Sequence, residues 1–309
     1  MKSLLRKFAR KIWRRIKRSN GYASYWSGVA KFWDVSDFNY KVINLGSGTA
    51  VHAFNYGKRK NCMNWAMAPQ SLAHDFCILK NYFSFLAEGA VVLIPLCPFS
   101  CLVSKYSKEQ NLKYYTFLHP ATVFDFDEQE RIKALTKKNL GRKVIIKHVL
   151  KTFLADKKIE FKRLIKPFNY KKNALWWVNG WKKQFSIDDL DAPLSEKHAE
   201  EQKNRQNLLR EIVSFCLERN LKPVFVMPPM HRELRALFSE TFVKNYIDNF
   251  ITPVLKSPVE FWNYSADELF DSDKYFDSAL YMSKKGAVLF TNTLIARLQE
   301  AGMANGLDY

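Results

Sequence analysis

Residues 90–96 read AVVLIPL, and residues 40–49 read YKVINLGSGT. The first run is apolar without alternation. That buries both of its faces and makes it a strand of a parallel sheet. The second is a shorter apolar run ending in the turn Gly46-Ser47-Gly48-Thr49, the kind that leads a buried strand into a helix. Between them, residues 62–67 (CMNWAM) form a short candidate strand. In residues 70–86, Leu72, Phe76, Leu79, Phe83 and Leu86 recur at helical spacing, with Glu88-Gly89 expected to stop the helix. Strand, helix, strand, helix, strand within about 60 residues is the βαβ pattern of an α/β protein. It resumes after residue 194 with a helix over 195–220 and the strand PVFVM at 223–227, closed by Pro228-Pro229. A helix over 234–251, a fifth strand VEFWNY at 259–264 and a last helix over 286–299 follow.

The stretch from 104 to 194 breaks the alternation. It opens with KYYTFLHP (113–120), continues through lysine-rich helical segments carrying Val144, Ile145, Val149, Phe153 and Leu154, and ends in WWVNGWKKQF (176–185). It reads as a helical insertion. The expected organisation is a basic N-terminal helix over 1–20, an α/β domain in two parts over 38–103 and 195–301, the insertion over 104–194, and a tail over 302–309.

Charge sharpens this division. The chain carries +19, but residues 1–20 alone hold nine Lys/Arg and no acid, and residues 131–172 hold fifteen Lys/Arg against Asp156 and Glu160. These segments contribute +9 and +13, which leaves −3 for everything else. Two local patches therefore make the protein basic and point to an anionic partner. In the N-terminal segment, Leu5, Phe8, Ile12, Trp13 and Ile16 share one helical stripe, and Arg6, Lys7, Arg10, Lys11, Arg14 and Arg15 fill the rest. A basic helix with an aromatic edge suits an anionic membrane surface, with Trp13 and those six cations as the contact residues. Two other readings stand beside it: a segment docked on its own protein, and a nucleic-acid arm, in which Trp13, Trp176, Trp177 and Trp181 would stack on bases. No apolar run reaches eighteen residues and no secretory h-region opens the chain, so a cytoplasmic protein, peripheral on the inner face of the membrane, is expected. The cysteines, Cys62, Cys77, Cys97, Cys101 and Cys216, are odd in number and sit in apolar patterns, which favours buried thiols in a reducing compartment. No metal and no cofactor are expected: no second Cys/His pair matches Cys97 and Cys101, and no GxxxxGK[ST] occurs.

In a parallel α/β sheet, ligands bind beyond the C-terminal strand ends, which makes Gly46, Gly48 and Thr49 crevice residues, with Asn64 at the end of the second strand. His52 follows closely enough to line the crevice. His74 is expected to face solvent, and Asp188, Asp189 and Asp191 to serve as turn and cap residues.

Six blocks resemble SGNH (GDSL-like) hydrolases of the kind encoded in bacterial surface-polysaccharide loci, distantly similar to the D-alanine transfer proteins of teichoic acid synthesis. They are NLGSGTAVHAFNYG (44–57), NWAMAPQSLAHDFCILKNY (64–82), AVVLIPLCPFSC (90–101), VNGWKKQF (178–185), KPVFVMPPMHREL (222–234) and YFDSALYMSKKGAVLFT (275–291). The resemblance spans residues 40–300. It implies a flavodoxin-like three-layer α/β/α sandwich around a five-stranded parallel sheet, and ester hydrolysis or acyl transfer on a glycan. It also exposes a departure. The nucleophilic serine would fall on Gly48, the histidine of the closing motif on Tyr281 and the acid on Ser278, while residues 66–68 and 95–97 replace the oxyanion glycine and asparagine. Glycine offers no nucleophile, and a tyrosine does not replace histidine as base at neutral pH. Three functions stay open. The first is a degenerate SGNH-like protein binding a glycan or lipid-linked saccharide, or partnering a polysaccharide-pathway transferase. The second is an active acylesterase or O-acyltransferase with a shifted site of Ser47, His231 and Asp277. The third is a nucleic-acid-binding protein.

Overall fold

In a computed structural model the described residues are 12, 13, 16, 26, 28–33, 39–103, 112–123, 126–138, 142–165, 167–256, 258–304 and 307. The chain forms two compact units, one from residues 1–36 with 106–168, the other from 37–105 with 169–309.

The larger unit is the α/β/α sandwich. Its five strands are β1 (Tyr40–Asn44), β2 (Cys62–Asn64), β3 (Leu86–Pro95), β4 (Lys222–Met227) and β5 (Glu260–Asn263), all parallel in the order β2-β1-β3-β4-β5. This is the flavodoxin-like order, with its switch point between β1 and β3. The principal helices are α1 (Gly48–Ala53), α2 (Leu72–Tyr82), α3 (Tyr170–Phe185), α4 (Glu196–Leu217), α5 (Arg232–Arg235) and α6 (Lys284–Glu300). On one face, Val42, Leu93, Val226 and Trp262 pack with Ala50 and Ala53 of α1 and with Phe290, Leu294 and Leu298 of α6. Strand alternation turns Ile43, Val92 and Phe225 to the other face, where α4 packs on β4 and α2. Burial on both faces is what the unbroken apolar run of β3 required.

Three expectations change. Residues 86–89 extend β3 instead of ending a helix. Gly89 there has φ +68, and the pairing of β1 with β3 slips locally, so this glycine marks a β-bulge, not a helix stop. The helix expected over 234–251 is interrupted: α5 ends at Arg235, and a helical stretch over 240–251 passes through a π turn, Val243–Asp248. The insertion ends near residue 168, not 194. Asn169 caps α3 by accepting from the Lys172 amide at 2.8 Å, and Ala174 and Val178 pack with Leu234, Ala279 and Leu280, so α3 belongs to the sheet unit.

In the smaller unit, the helix Arg142–Ile165 packs Ile145 and Val149 against Trp26, Trp13 and Ile16, and Phe32 stacks on Phe117 at 4.5 Å. Trp13, expected at a membrane, is thus half-buried against its own chain, because the aromatic cluster offers it apolar cover. Arg6, Lys7, Arg10, Lys11, Arg14 and Arg15 lie outside the described residues.

Two glycines give opposite tests. Ser283 caps α6 by accepting from the Gly286 amide at 3.2 Å, and this brings Gly286 against the Tyr275 carbonyl, where a Cβ has no room. Gly180 lies mid-helix in α3 with nothing near its missing Cβ. Gly286→Ala is expected to lower unfolding stability by about 1–3 kcal/mol through overpacking, and Gly180→Ala to raise it by about 0.5–1 kcal/mol through helix propensity, both read by urea titration.

Candidate functional site

An apolar cleft opens at the C-terminal end of the sheet. Thr49 and Ala53 of α1 form one wall, residues 96–98 after β3 and 227–230 after β4 form the floor, and Leu280 and Met282 close the far side. It lies where the parallel topology puts ligand sites.

The turn after β1 is built around a buried acid on α2. Asp75 accepts the Gly46 amide at 2.8 Å and the Gln70 side-chain amide at 2.5 Å on the same oxygen. Gly46 sits at φ +109, with Ala50 and Pro95 crowding its Cβ position, so glycine is required there. Burial pushes the Asp75 carboxyl up to about 6, against the pull of the Gly46 and Gln70 donors and of Arg205. Its neighbour His74 is buried as well, contrary to expectation, with Nδ1 2.8 Å from the Ser71 hydroxyl that caps α2. Helix spacing did not reveal that this polar pair faces inward.

The turn then presents Gly48 directly to Tyr281. A Cβ on Gly48 would stand 2.9 Å from the Tyr281 hydroxyl. Positions 48 and 281 therefore meet across the crevice, where the resemblance would put nucleophile and base. Tyr281 is held by His52, stacked at 4.4 Å, and by Trp177, edge-on at 5.3 Å. Burial raises its phenol pKa, with Cys97 adding to the rise. The His52 imidazole is held below its ordinary value by desolvation, and nearby Asp277 opposes that. His52 thus does flank the crevice.

The shifted set is not assembled as a relay. Ser47 Oγ receives the Gln70 backbone amide at 3.0 Å, and although Ser47 stands at the N-cap of α1, its side chain does not cap. His231 is buried at 1% exposure, not at the surface. Its Nε2 lies 3.2 Å from Asp273 Oδ1, its Nδ1 accepts the Glu233 amide at 3.2 Å, and Tyr170 stacks on its ring at 4.0 Å. His231 is a cap and packing residue of α5, and its pKa is lowered, chiefly by burial. Asp277 gives its backbone amide to the Tyr281 carbonyl at 2.9 Å. Asn64 is no oxyanion donor: its amide nitrogen bonds the Ala50 and Phe54 carbonyls and its oxygen accepts from Asn44 and Ala66, which ties β2 to α1. Asp189 accepts from the Asp191 amide, a turn role, whereas Asp191 accepts from the distant Ser239 hydroxyl and so ties this loop to the helical stretch that Ser239 caps. Of the tryptophans in α3, Trp177 and Trp181 turn inward onto Tyr281 and Phe99, and Trp176 stays 64% exposed. Among the described residues, no group of three or more His, Cys, Asp or Glu is placed to hold a metal ion.

No protein-family model and no curated protein matches the chain.

A carboxyl with a higher pKa folded than unfolded binds its proton more tightly when folded. Its contribution to stability therefore falls as pH rises from 3.8 to about 6. The stability of the native protein relative to Asp75→Asn is expected to drop by on the order of 2–3 kcal/mol between about pH 4 and about pH 6.5. Paired urea titrations check this; a gap that stays constant across the range would remove Asp75 as the titrating group.

Proposed function

We propose that this is a catalytically degenerate SGNH-like protein of bacterial surface-polysaccharide assembly. It acts on the cytoplasmic face of the membrane, holds a glycan or lipid-linked saccharide in the crevice, and works beside a transferase of the same pathway. The observation that carries this reading is the Tyr281 hydroxyl set over Gly48. Tyrosine and glycine occupy the two positions where such hydrolases need histidine and serine, and the phenol fills the space an attacking oxygen would use. A pKa raised by burial keeps that phenol protonated at neutral pH, suited to donating a hydrogen bond to a sugar oxygen. His52, Trp177 and the apolar cleft beside it supply flat surfaces of the kind sugar rings stack on. The membrane-face assignment is supported by the basic patches, and among the described residues no helix is long and apolar enough to cross a membrane.

An ester hydrolase or acyltransferase built on Ser47, His231 and Asp277 is disfavoured, because Ser47 and His231 are engaged by different partners and a serine without a base is a weak nucleophile.

The purified protein is expected to cleave p-nitrophenyl acetate no faster than its Ser47→Ala variant, and a fluorophosphonate probe is expected to leave Ser47 unlabelled. Labelling of Ser47 in the folded protein, with ester cleavage lost in Ser47→Ala, would overturn the reading. Saccharide fragments of a bacterial surface polysaccharide should perturb tryptophan fluorescence, and Tyr281→Ala should weaken that binding roughly tenfold, the loss of one good contact.

A further inference from the structure

We infer that the outward face of the helix Arg142–Ile165 is a docking surface for an anionic lipid bilayer. This rests on the membrane-face reading above and deepens it by naming the surface that makes the contact. The apolar side of the helix is wider than its buried part. Ile145 and Val149 point inward onto Trp26, Trp13 and Ile16. Ile146, Leu150, Phe153 and Leu154 lie on the flank that adjoins this buried edge, turned about a third of a turn from it, and they are exposed at 37%, 58%, 57% and 68%. Their spacing of four, seven and eight residues from Ile146 sets them in one continuous stripe. Exposed apolar side chains gathered into a stripe mark a contact surface, whereas scattered ones do not.

Charge decides which partner fits. Lys147 and Lys151 are exposed along one border of the stripe, and Lys157, one turn after Phe153, is exposed at its C-terminal end. The whole helix holds eight Lys/Arg against Asp156 and Glu160. An apolar strip bordered by long cationic side chains matches an interface whose outer layer is anionic and whose interior is hydrocarbon. The lysine stems reach outward to the headgroups while Leu150, Phe153 and Leu154 enter the acyl boundary. A second copy of the chain would bring the same cations face to face, which charge repulsion opposes. Of the N-terminal stripe, Trp13 and Ile16 are half-buried within this unit and Ile12 is 44% exposed.

The test is sedimentation of the full chain with vesicles of phosphatidylcholine alone or mixed with phosphatidylglycerol. The native chain is expected to bind the anionic vesicles at least tenfold better. The triple variant Leu150→Ser, Phe153→Ser, Leu154→Ser should lose at least tenfold in binding, and Lys147→Gln, Lys151→Gln, Lys157→Gln should lose the preference for anionic lipid. Should the serine variant misfold, hydrogen exchange on the native protein decides: amides over 144–157 should slow when anionic vesicles are added, and unchanged exchange there overturns the inference. Equal binding by native and folded serine variant also overturns it, yet leaves the membrane-face reading standing. Failure of the native chain to bind any vesicle removes both. A dimer that dissociates in the serine variant would assign the stripe to a second copy and refute the bilayer.

Discussion

One buried carboxylate organises the end of the sheet. Asp75 reaches from α2 to the Gly46 amide and to Gln70, and the Gln70 backbone in turn holds the Ser47 hydroxyl. Two consecutive residues, Gly46 and Ser47, are thereby pinned to α2 and to the loop that leads into it, more than twenty residues later. An acid taken out of water resists ionisation, so its two donors must offset a large desolvation cost. With that contact in place, Gly46 adopts its left-handed conformation, α1 begins at residue 48, and Gly48 is delivered to the phenol of Tyr281. Without it, the crevice would lose the wall that α1 provides.

The site that results lies at the C-terminal end of a parallel sheet, with its polar side chains tied to neighbouring backbone and side-chain groups. Polar side chains around the turn are tied into the scaffold: His231 between Asp273 and the Glu233 amide, Asn64 between strand and helix, Ser47 on a loop amide. The cleft is lined by proline, methionine and leucine side chains, and the Tyr281 phenol beside Leu280 and Met282 carries the stacked His52 imidazole.

Much of this architecture was legible in the chain. The unbroken apolar run of β3 required two covered faces, and the glycine turn after β1 announced a strand-to-helix junction at the crevice. Positions 48 and 281 could be paired by motif spacing before their contact was seen. Asp75 and His74 were not legible, because periodicity identifies apolar faces and is silent about a polar residue whose partners lie on a distant loop. Gly89 was misread because a glycine after a helical pattern looks like a cap, and only the strand register of Tyr40 and Val42 shows it to be a bulge. The membership of α3 was hidden by composition. Its lysines and tryptophans match the preceding segment, while only Ala174 and Val178, small and few, reveal where it packs. The exposed part of the apolar side of the helix at 142–165 was not legible, since Ile145, Val149, Phe153 and Leu154 read as one stripe and periodicity does not say how much of it is covered.

The margins of the sheet carry a consequence of their own. Its central strand has ten residues, but its outermost strands, β2 and β5, have three and four. Unpaired backbone groups along the rim are therefore few, and a foreign segment finds almost no template on which to add itself. Growth of the sheet by strand exchange or fibril formation is discouraged by length alone. Among the described residues, the sheet thus offers a short rim at either edge, three and four residues long.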